Sequence, residues 1–228
     1  LSAGYDRLDL GALRDARIPV ANNGGANAQT VAEHAVLLML AVLKRLPQHH
    51  NALARGNWLG LSQGLALHEL AGKQVGIVGL GRIGARVARI VNAFGARVVF
   101  SDVDGVEPPT DVAAEPMTLD ELLASSDIVT IHTPLVAGTK CLISADAIRR
   151  MPAHAILSNT SRGPVVDEKA LVEALASGRL GGAGREQLPR GESGSVQVRV
   201  AASRVALRSG YHLVVLADRA AGTPRGSL

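Results

Sequence analysis

Short apolar runs rich in β-branched residues recur along the middle of the chain and predict strands at Gln74–Val78, Arg97–Phe100, Ile128–Ile131 and Ala155–Ser158. Between them apolar positions fall at helical spacing. They predict helices over Ile83–Phe94, Leu119–Ala124 behind Thr118, Ala145–Arg150 behind Ser144, and Glu168–Ser177 behind Asp167, with Gly178 as a stop. Strands buried on both faces read as continuous apolar runs, and strands alternating with crossover helices form a parallel sheet. The pattern therefore predicts an α/β fold of the Rossmann type, a doubly wound parallel sheet.

Upstream, Thr30-Val31-Ala32-Glu33 has the form of a capping box and opens an almost wholly apolar stretch to about Leu46, a helix that must be buried on most sides. Residues 1–25 read as a strand-and-turn remnant, too short for a domain: a short polar helix, then Ile18–Ala21, then the turn-rich Asn22-Asn23-Gly24-Gly25. After Gly184 the periodicity fails. Residues 185–228 are rich in Arg, Ser and Gly, with isolated strand-like pieces at Val196–Val200 and His212–Leu216. They predict a poorly ordered tail that stays off the core and leaves a sheet edge uncovered. The expected organisation is a remnant of another domain over 1–25, a body over 26–184 and a divergent tail over 185–228.

Composition narrows the function classes. Hydrophobic residues make up 47% of the chain and aromatics 2%, so the core must be built from Ala, Val, Leu and Ile. The net charge of +4 comes wholly from residues 185–228, where seven Arg face three acids, while the first 184 residues balance to zero. A nucleic-acid groove needs basic charge on the folded body interleaved with stacking aromatics, and neither is present. The longest apolar run, Ala35–Leu43, is about half of what a membrane-spanning helix needs. A single cysteine, Cys141, and the lack of a leader or targeting pattern make the cytoplasm the expected location. No metal-ligand cluster stands out.

The strand Val75–Val78 runs directly into Gly79-Leu80-Gly81-Arg82-Ile83-Gly84 and then into an amphipathic helix. In that context a Gly-x-Gly-x-x-Gly turn cradles a dinucleotide. Its first glycine makes the turn, its second admits the pyrophosphate, its third permits close helix packing, and the helix N-terminus receives the negative charge. Arg82 either meets the phosphates or is a surface arginine. Asp102, eighteen residues after Gly84 at the end of the second strand, is placed to receive the adenosine ribose hydroxyls. A carboxylate there repels a 2′-phosphate, favouring NAD over NADP, with Arg97 and Ser101 nearby as the opposing signal. The alternative for Asp102 is a solvated strand-end acid.

Several further segments resemble the D-isomer-specific 2-hydroxyacid dehydrogenase family across residues 2–184. They are Ser2-Ala3-Gly4-Tyr5-Asp6, similar to a substrate-side Gly-x-Asp loop; Val31-Ala32-Glu33-His34; Gly56-Asn57-Trp58; Ile131-His132-Thr133-Pro134-Leu135; and Asn159-Thr160-Ser161-Arg162-Gly163-Pro164. The resemblance implies hydride transfer between NAD(H) and a small 2-keto or 2-hydroxy acid. It implies Arg162 as the catalytic residue that grips the substrate's carboxylate and keto oxygen, and Ala3 and Gly4 beside the substrate. Thr133, Pro134, Thr160 and Ser161 join Gly79, Gly81, Arg82, Ile83, Gly84 and Asp102 around the cofactor, and the intact family member is a homodimer. A permanently charged planar fork suits a 2-keto acid. The alternative for Arg162 is a plain ion pair with Asp167 or Glu168. His132 reads as structural or cofactor-supporting, and Glu33 with His34 as a buried helix start.

The resemblance breaks after Gly184. The family continues with Leu-Asp-Val, a Glu-Pro and a Thr-Pro-His that supply an acid/base pair, whereas this chain reads Arg185-Glu186-Gln187-Leu188-Pro189. Glu186, or Glu192 with His212, are the candidate replacements. Arg is the only base after Lys169, which resembles an out-of-frame reading of a GC-rich gene; a genuine divergence is the alternative. The expectation is therefore a fragment, impaired or inactive as an enzyme. A second reading is an NAD(H)-responsive binding module resembling the dehydrogenase-like corepressors.

Overall fold

A computed structural model describes residues 4–6, 8–22, 24–60 and 67–185, and the backbone of 214–216. In chain order the elements are α1 (Leu10–Asp15), α2 (Ala28–Leu43), α3 (Leu46–Leu53), β1 (Gln74–Val78), α4 (Arg82–Ala93), β2 (Arg97–Ser101), β3 (Glu115–Pro116), α5 (Leu119–Ser125), β4 (Ile128–Ile131), α6 (Ala145–Arg150), β5 (Ile156–Asn159), α7 (Glu168–Ala176), β6 (Gly182–Arg185) and β7 (Val214–Leu216). The sheet order is β3-β2-β1-β4-β5-β6-β7. The first six strands pair in parallel and β7 runs antiparallel to β6. This is the doubly wound Rossmann order, and the strand order reverses between β1 and β4.

Both faces of the sheet are covered, which is why its strands read as apolar runs. Val75, Ile77, Val98, Phe100, Ile128 and Ile156 pack with α2 and α4 on one face. Their neighbours Val78, Val99, Val129, Ile131 and Leu157 pack with α5, α6 and α7 on the other. The period of two follows from the pleat. Four predicted strands and four predicted helices appear within a residue or so of their expected bounds. The local signals act as expected: Thr118 caps α5 in a reciprocal box with Glu121, and the Ser144 and Asp167 side chains accept from the N–H groups of Ala147 and Ala170.

Three expectations are corrected. The long apolar helix starts at Ala28 behind Asn27, two residues before Thr30, and Glu33 accepts from the Gln29 amide at 2.9 Å instead of closing a box. It ends at Leu43, because Pro47 has no N–H to donate to the Leu43 carbonyl and its ring would crowd that carbonyl in a continued helix. The chain turns at Arg45 (φ 47°) and restarts as α3 with the proline in its first turn, where a missing N–H costs nothing. Ile18–Ala21 forms no strand among the described residues. The sheet edge beyond β6 is not bare: Val214–Leu216 pairs with Ala183–Arg185. The expected poor order of the tail otherwise concerns residues 186–213 and 217–228, outside those described.

β3 and β6 were unanticipated. In β6, Gly182 and Gly184 lie under α2: a Cβ on Gly184 would stand 2.9 Å from Leu38 Cβ, and one on Gly182 2.6 Å from Val42 Cγ1. The glycines that make this stretch look like a loop are what lets the buried helix lie on the strand.

Candidate functional site

The C-terminal ends of β1 and β4 meet at the point where strand order reverses, the place where such sheets open a crevice for ligands. Gly79 turns the chain there with φ 95°, and a Cβ on it would lie 3.0 Å from His132 backbone and from Thr133 Cγ2, so the loops after β1 and β4 are in contact. Gly84 lies one turn into α4, where a Cβ would stand 2.1 Å from Gly79 O. A Cβ on Gly81 would meet nothing within 4 Å.

Gly81 is the N-cap of α4 and no side chain caps it. The N–H groups of Gly81, Arg82, Ile83 and Gly84 donate to no acceptor among the described residues. Open space in front of a helix end with unpaired donors fits a pyrophosphate. Ile83 contributes its N–H there while its side chain packs against the core. Arg82 is turned aside: Nη1 donates to Gly24 O and Cδ lies against Gly25, joining the phosphate loop to the turn before α2.

Asp102 follows β2 with both carboxylate oxygens engaged, one accepting from Leu80 N–H at 2.6 Å and the other from Val103 N–H at 2.7 Å. These bonds fix the carboxylate against the glycine turn. Each oxygen keeps a second lone-pair direction for a ribose hydroxyl.

The loop after β4 is braced on itself, Thr139 Oγ1 donating to Pro134 O at 2.6 Å and accepting from Val136 N–H at 2.9 Å. Thr133 Oγ1 is buried without a partner in the protein. His132 links the loop to the next strand end, with Nε2 3.0 Å from Thr130 Oγ1 and Nδ1 3.5 Å from Thr160 Oγ1. Desolvation pushes its pKa down to about 3, so the ring is neutral and unsuited to donate a proton near pH 7.

Arg162 stands on the turn after β5. Asn159 shapes that turn: its Oδ1 accepts from Ser161 N–H and Oγ, and its Nδ2 donates to Arg162 O at 2.9 Å. The guanidinium donates from Nε to Asp6 Oδ1 at 2.9 Å and from Nη1 to Ser161 O at 2.8 Å. The remaining three of its five N–H groups have no partner among the described residues. Gly4 lies against it, since a Cβ there would stand 1.5 Å from Nη2. The alternative pairing of Arg162 with Asp167 or Glu168 does not occur. Asp167 caps α7, and Glu168 binds the buried Arg185 at 2.6 Å.

Residues 36–189 match the family model described as the D-isomer specific 2-hydroxyacid dehydrogenase, NAD binding domain. The chain belongs to this family. It is 37% identical over 186 residues to a glyoxylate reductase of Korarchaeum cryptofilum, covering 80% of this chain and 56% of the relative. It is 36% identical over 181 residues to a hydroxypyruvate reductase of Thermotoga maritima, covering 79% and 58%. The chain thus spans little more than half the length of these relatives. Among solved structures, the D-lactate dehydrogenase of Aquifex aeolicus complexed with NAD and lactic acid superposes with TM-score 0.77 at 34% identity, covering 83% of this chain and 56% of that one. An acyclic imino acid reductase complexed with NADPH and D-Arg superposes with TM-score 0.78 at 30% identity, covering 85% and 62%. The corepressor alternative finds no support in these comparisons.

Of the site residues expected from sequence, the structure gathers Gly79, Gly81, Ile83, Gly84, Asp102, Thr133 and Pro134 at the β1–β4 crevice, and Thr160, Ser161, Arg162 and Gly4 beyond β5. Arg82 is diverted to Gly24, and Ala3 lies outside the described residues. Sequence reasoning had assigned no role to Asn159 or Asp6, although both lay inside quoted motifs. For Asn159 the signal was its type, since an Asx side chain commonly shapes its own turn; for Asp6 no local signal pointed to a partner so distant in the chain. The described residues contain no cluster able to hold a metal and no helix long and apolar enough to cross a membrane.

Proposed function

We propose that this domain serves hydride transfer between NAD(H) and a small 2-keto or 2-hydroxy acid. The observation that carries the reading is Arg162, a fork with three uncommitted N–H groups at the carboxyl end of β5, on the same edge of the sheet as the phosphate loop. A carboxylate can take two of these donors in parallel, which fixes its plane as a point charge could not. Bound at the glycine turn, NADH supplies the hydride. The four free N–H groups at α4 hold the pyrophosphate, Asp102 receives the ribose diol, and Thr133, Pro134, Thr160 and Ser161 shape the nicotinamide side. Gly4 lies against Arg162, and the family resemblance gives Ala3 and Gly4 to the substrate.

Proton supply is the weak point of this chain. Among the described residues the carboxylate–histidine pair is Asp127 with His154 at 2.8 Å, and both precede their strands, at the edge of the sheet opposite Arg162. The stretch Arg185–Pro189 replaces the motif that opens the family's acid/base segment. General acid catalysis contributes about 10²–10⁴-fold. NADH oxidation with pyruvate, glyoxylate and hydroxypyruvate is therefore expected about a thousandfold below a full-length relative, and lower still in Arg162→Lys. Robust turnover abolished by Glu192→Ala or His212→Ala would show instead that the tail supplies the acid/base pair.

The same reading extends to a homodimer in the cytoplasm. Its support is that Leu37 on α2, Leu46 and Leu53 on α3, and Trp58 just beyond are 44%, 50%, 55% and 78% exposed, large apolar side chains of the kind a subunit contact covers. Light scattering should give twice the chain mass, and Leu53→Asp should lower it; a monomer at all concentrations would contradict the dimer.

A further inference from the structure

We propose that Asp6 is a positioning residue for substrate, holding Arg162 by its Nε so that the far end of the guanidinium faces the ligand. The inference rests on Arg162 being the carboxylate clamp. An arginine side chain can turn about several bonds, and a bidentate contact succeeds only when the fork is held in one plane. Asn159 fixes the backbone of the turn but leaves the side chain free to swing. Two bonds remove that freedom: Nε to Asp6 Oδ1 at 2.9 Å and Nη1 to Ser161 O at 2.8 Å.

The contact joins residues 156 positions apart, and the ion pair is partly shielded, with side-chain exposures of 30% for Arg162 and 22% for Asp6. Shielding matters because exposed pairs of this kind contribute little. Gly4 completes the seat, since any Cβ there would overlap Nη2. The loop over 4–6 therefore sets where the fork points. Because Arg162 donates to Asp6 only from Nε and to Ser161 O only from Nη1, both Nη2 protons and one Nη1 proton stay uncommitted among the described residues for a substrate carboxylate.

The test uses the whole chain saturated with NADH and titrated with oxamate, a non-reducible isostere of a 2-keto acid. Asp6→Ala should weaken oxamate about tenfold or more, the scale of one charge-assisted bond, and leave NADH affinity within about twofold. Asp6→Asn, which keeps an acceptor but not the charge, should fall between. The Arg162 Nε–Hε NMR cross-peak, identified by its loss in Arg162→Lys, should exchange slowly in the parent and be broadened or lost in Asp6→Ala. A purely structural role for Asp6 would move neither the intermediate Asn value nor this peak while sparing NADH. Oxamate affinity in Asp6→Ala equal to the parent's, with Arg162→Lys still weakened, would overturn the inference and leave the clamp standing. Equal oxamate affinity in the parent and Arg162→Lys would instead overturn the proposed function and this inference with it.

Discussion

A methyl group on Gly84 would stand 2.1 Å from the carbonyl oxygen of Gly79, and both partners are backbone that cannot rotate away. Gly84→Ala should therefore push α4 off the glycine turn, costing about 1–3 kcal/mol as overpacking does, and should weaken NADH by more than it lowers the urea midpoint. Gly81→Ala meets no protein atom, so its cost should appear only in NADH affinity. His132 carries a different expectation. Its pKa falls from 6.5 unfolded to about 3 folded, so the native state binds fewer protons between those values. Its contribution is fully present above pH 6.5 and is lost as pH falls toward 3, about 2 kcal/mol by pH 5. Urea unfolding at pH 7 and pH 5 should show this loss, and His132→Asn should reduce it. The carboxylates held low, among them Asp111 and Glu121, lose their contribution only below their ordinary values of 3.8 and 4.5, under the pH 5–7 range of this comparison, so a loss unchanged in His132→Asn would place the titrating group elsewhere.

At the scale of elements, the positions that sequence misread share a physical cause: a neighbour distant in the chain outweighed the local signal. Thr30-Val31-Ala32-Glu33 looked like a helix start, yet α2 is anchored by the burial of Ala28 and Ala32 and begins earlier. The stretch around Gly182 and Gly184 carried no strand signal, yet it is strand, with Leu38 and Val42 of α2 resting on its glycines. No property of the residues near 182 announces a helix 140 positions upstream. Elements set by their own residues were legible, as with Thr118 and Glu121, which form the capping box that their spacing foretold. Thr118→Ala should cost about 1 kcal/mol in unfolding free energy. Gly184→Val should cost about 1–3 kcal/mol by forcing Leu38 and α2 away, and a double change with Leu38→Ala should recover part of it. Additive losses in that pair would contradict the close approach.

For the whole molecule, the parallel, doubly wound sheet followed from the alternation of strands and helices, because crossover handedness leaves few arrangements. The glycine turn and Asp102 were legible for the same reason: each sits at a fixed offset from a strand end. The tie between Asp6 and Arg162 was not, since a contact across 156 residues depends on where the whole sheet delivers the β5 turn. Nor was the turning of Arg82 toward Gly24. The most direct test of the account is calorimetric titration of one preparation with NADH and with NADPH. One NADH site per chain is expected, and the proposed role of Asp102 as receiver of the ribose diol predicts NADPH weaker by about tenfold or more, with Asp102→Ser narrowing the difference. Equal affinity for the two cofactors, or no saturable NADH binding, would contradict the assignment of this crevice.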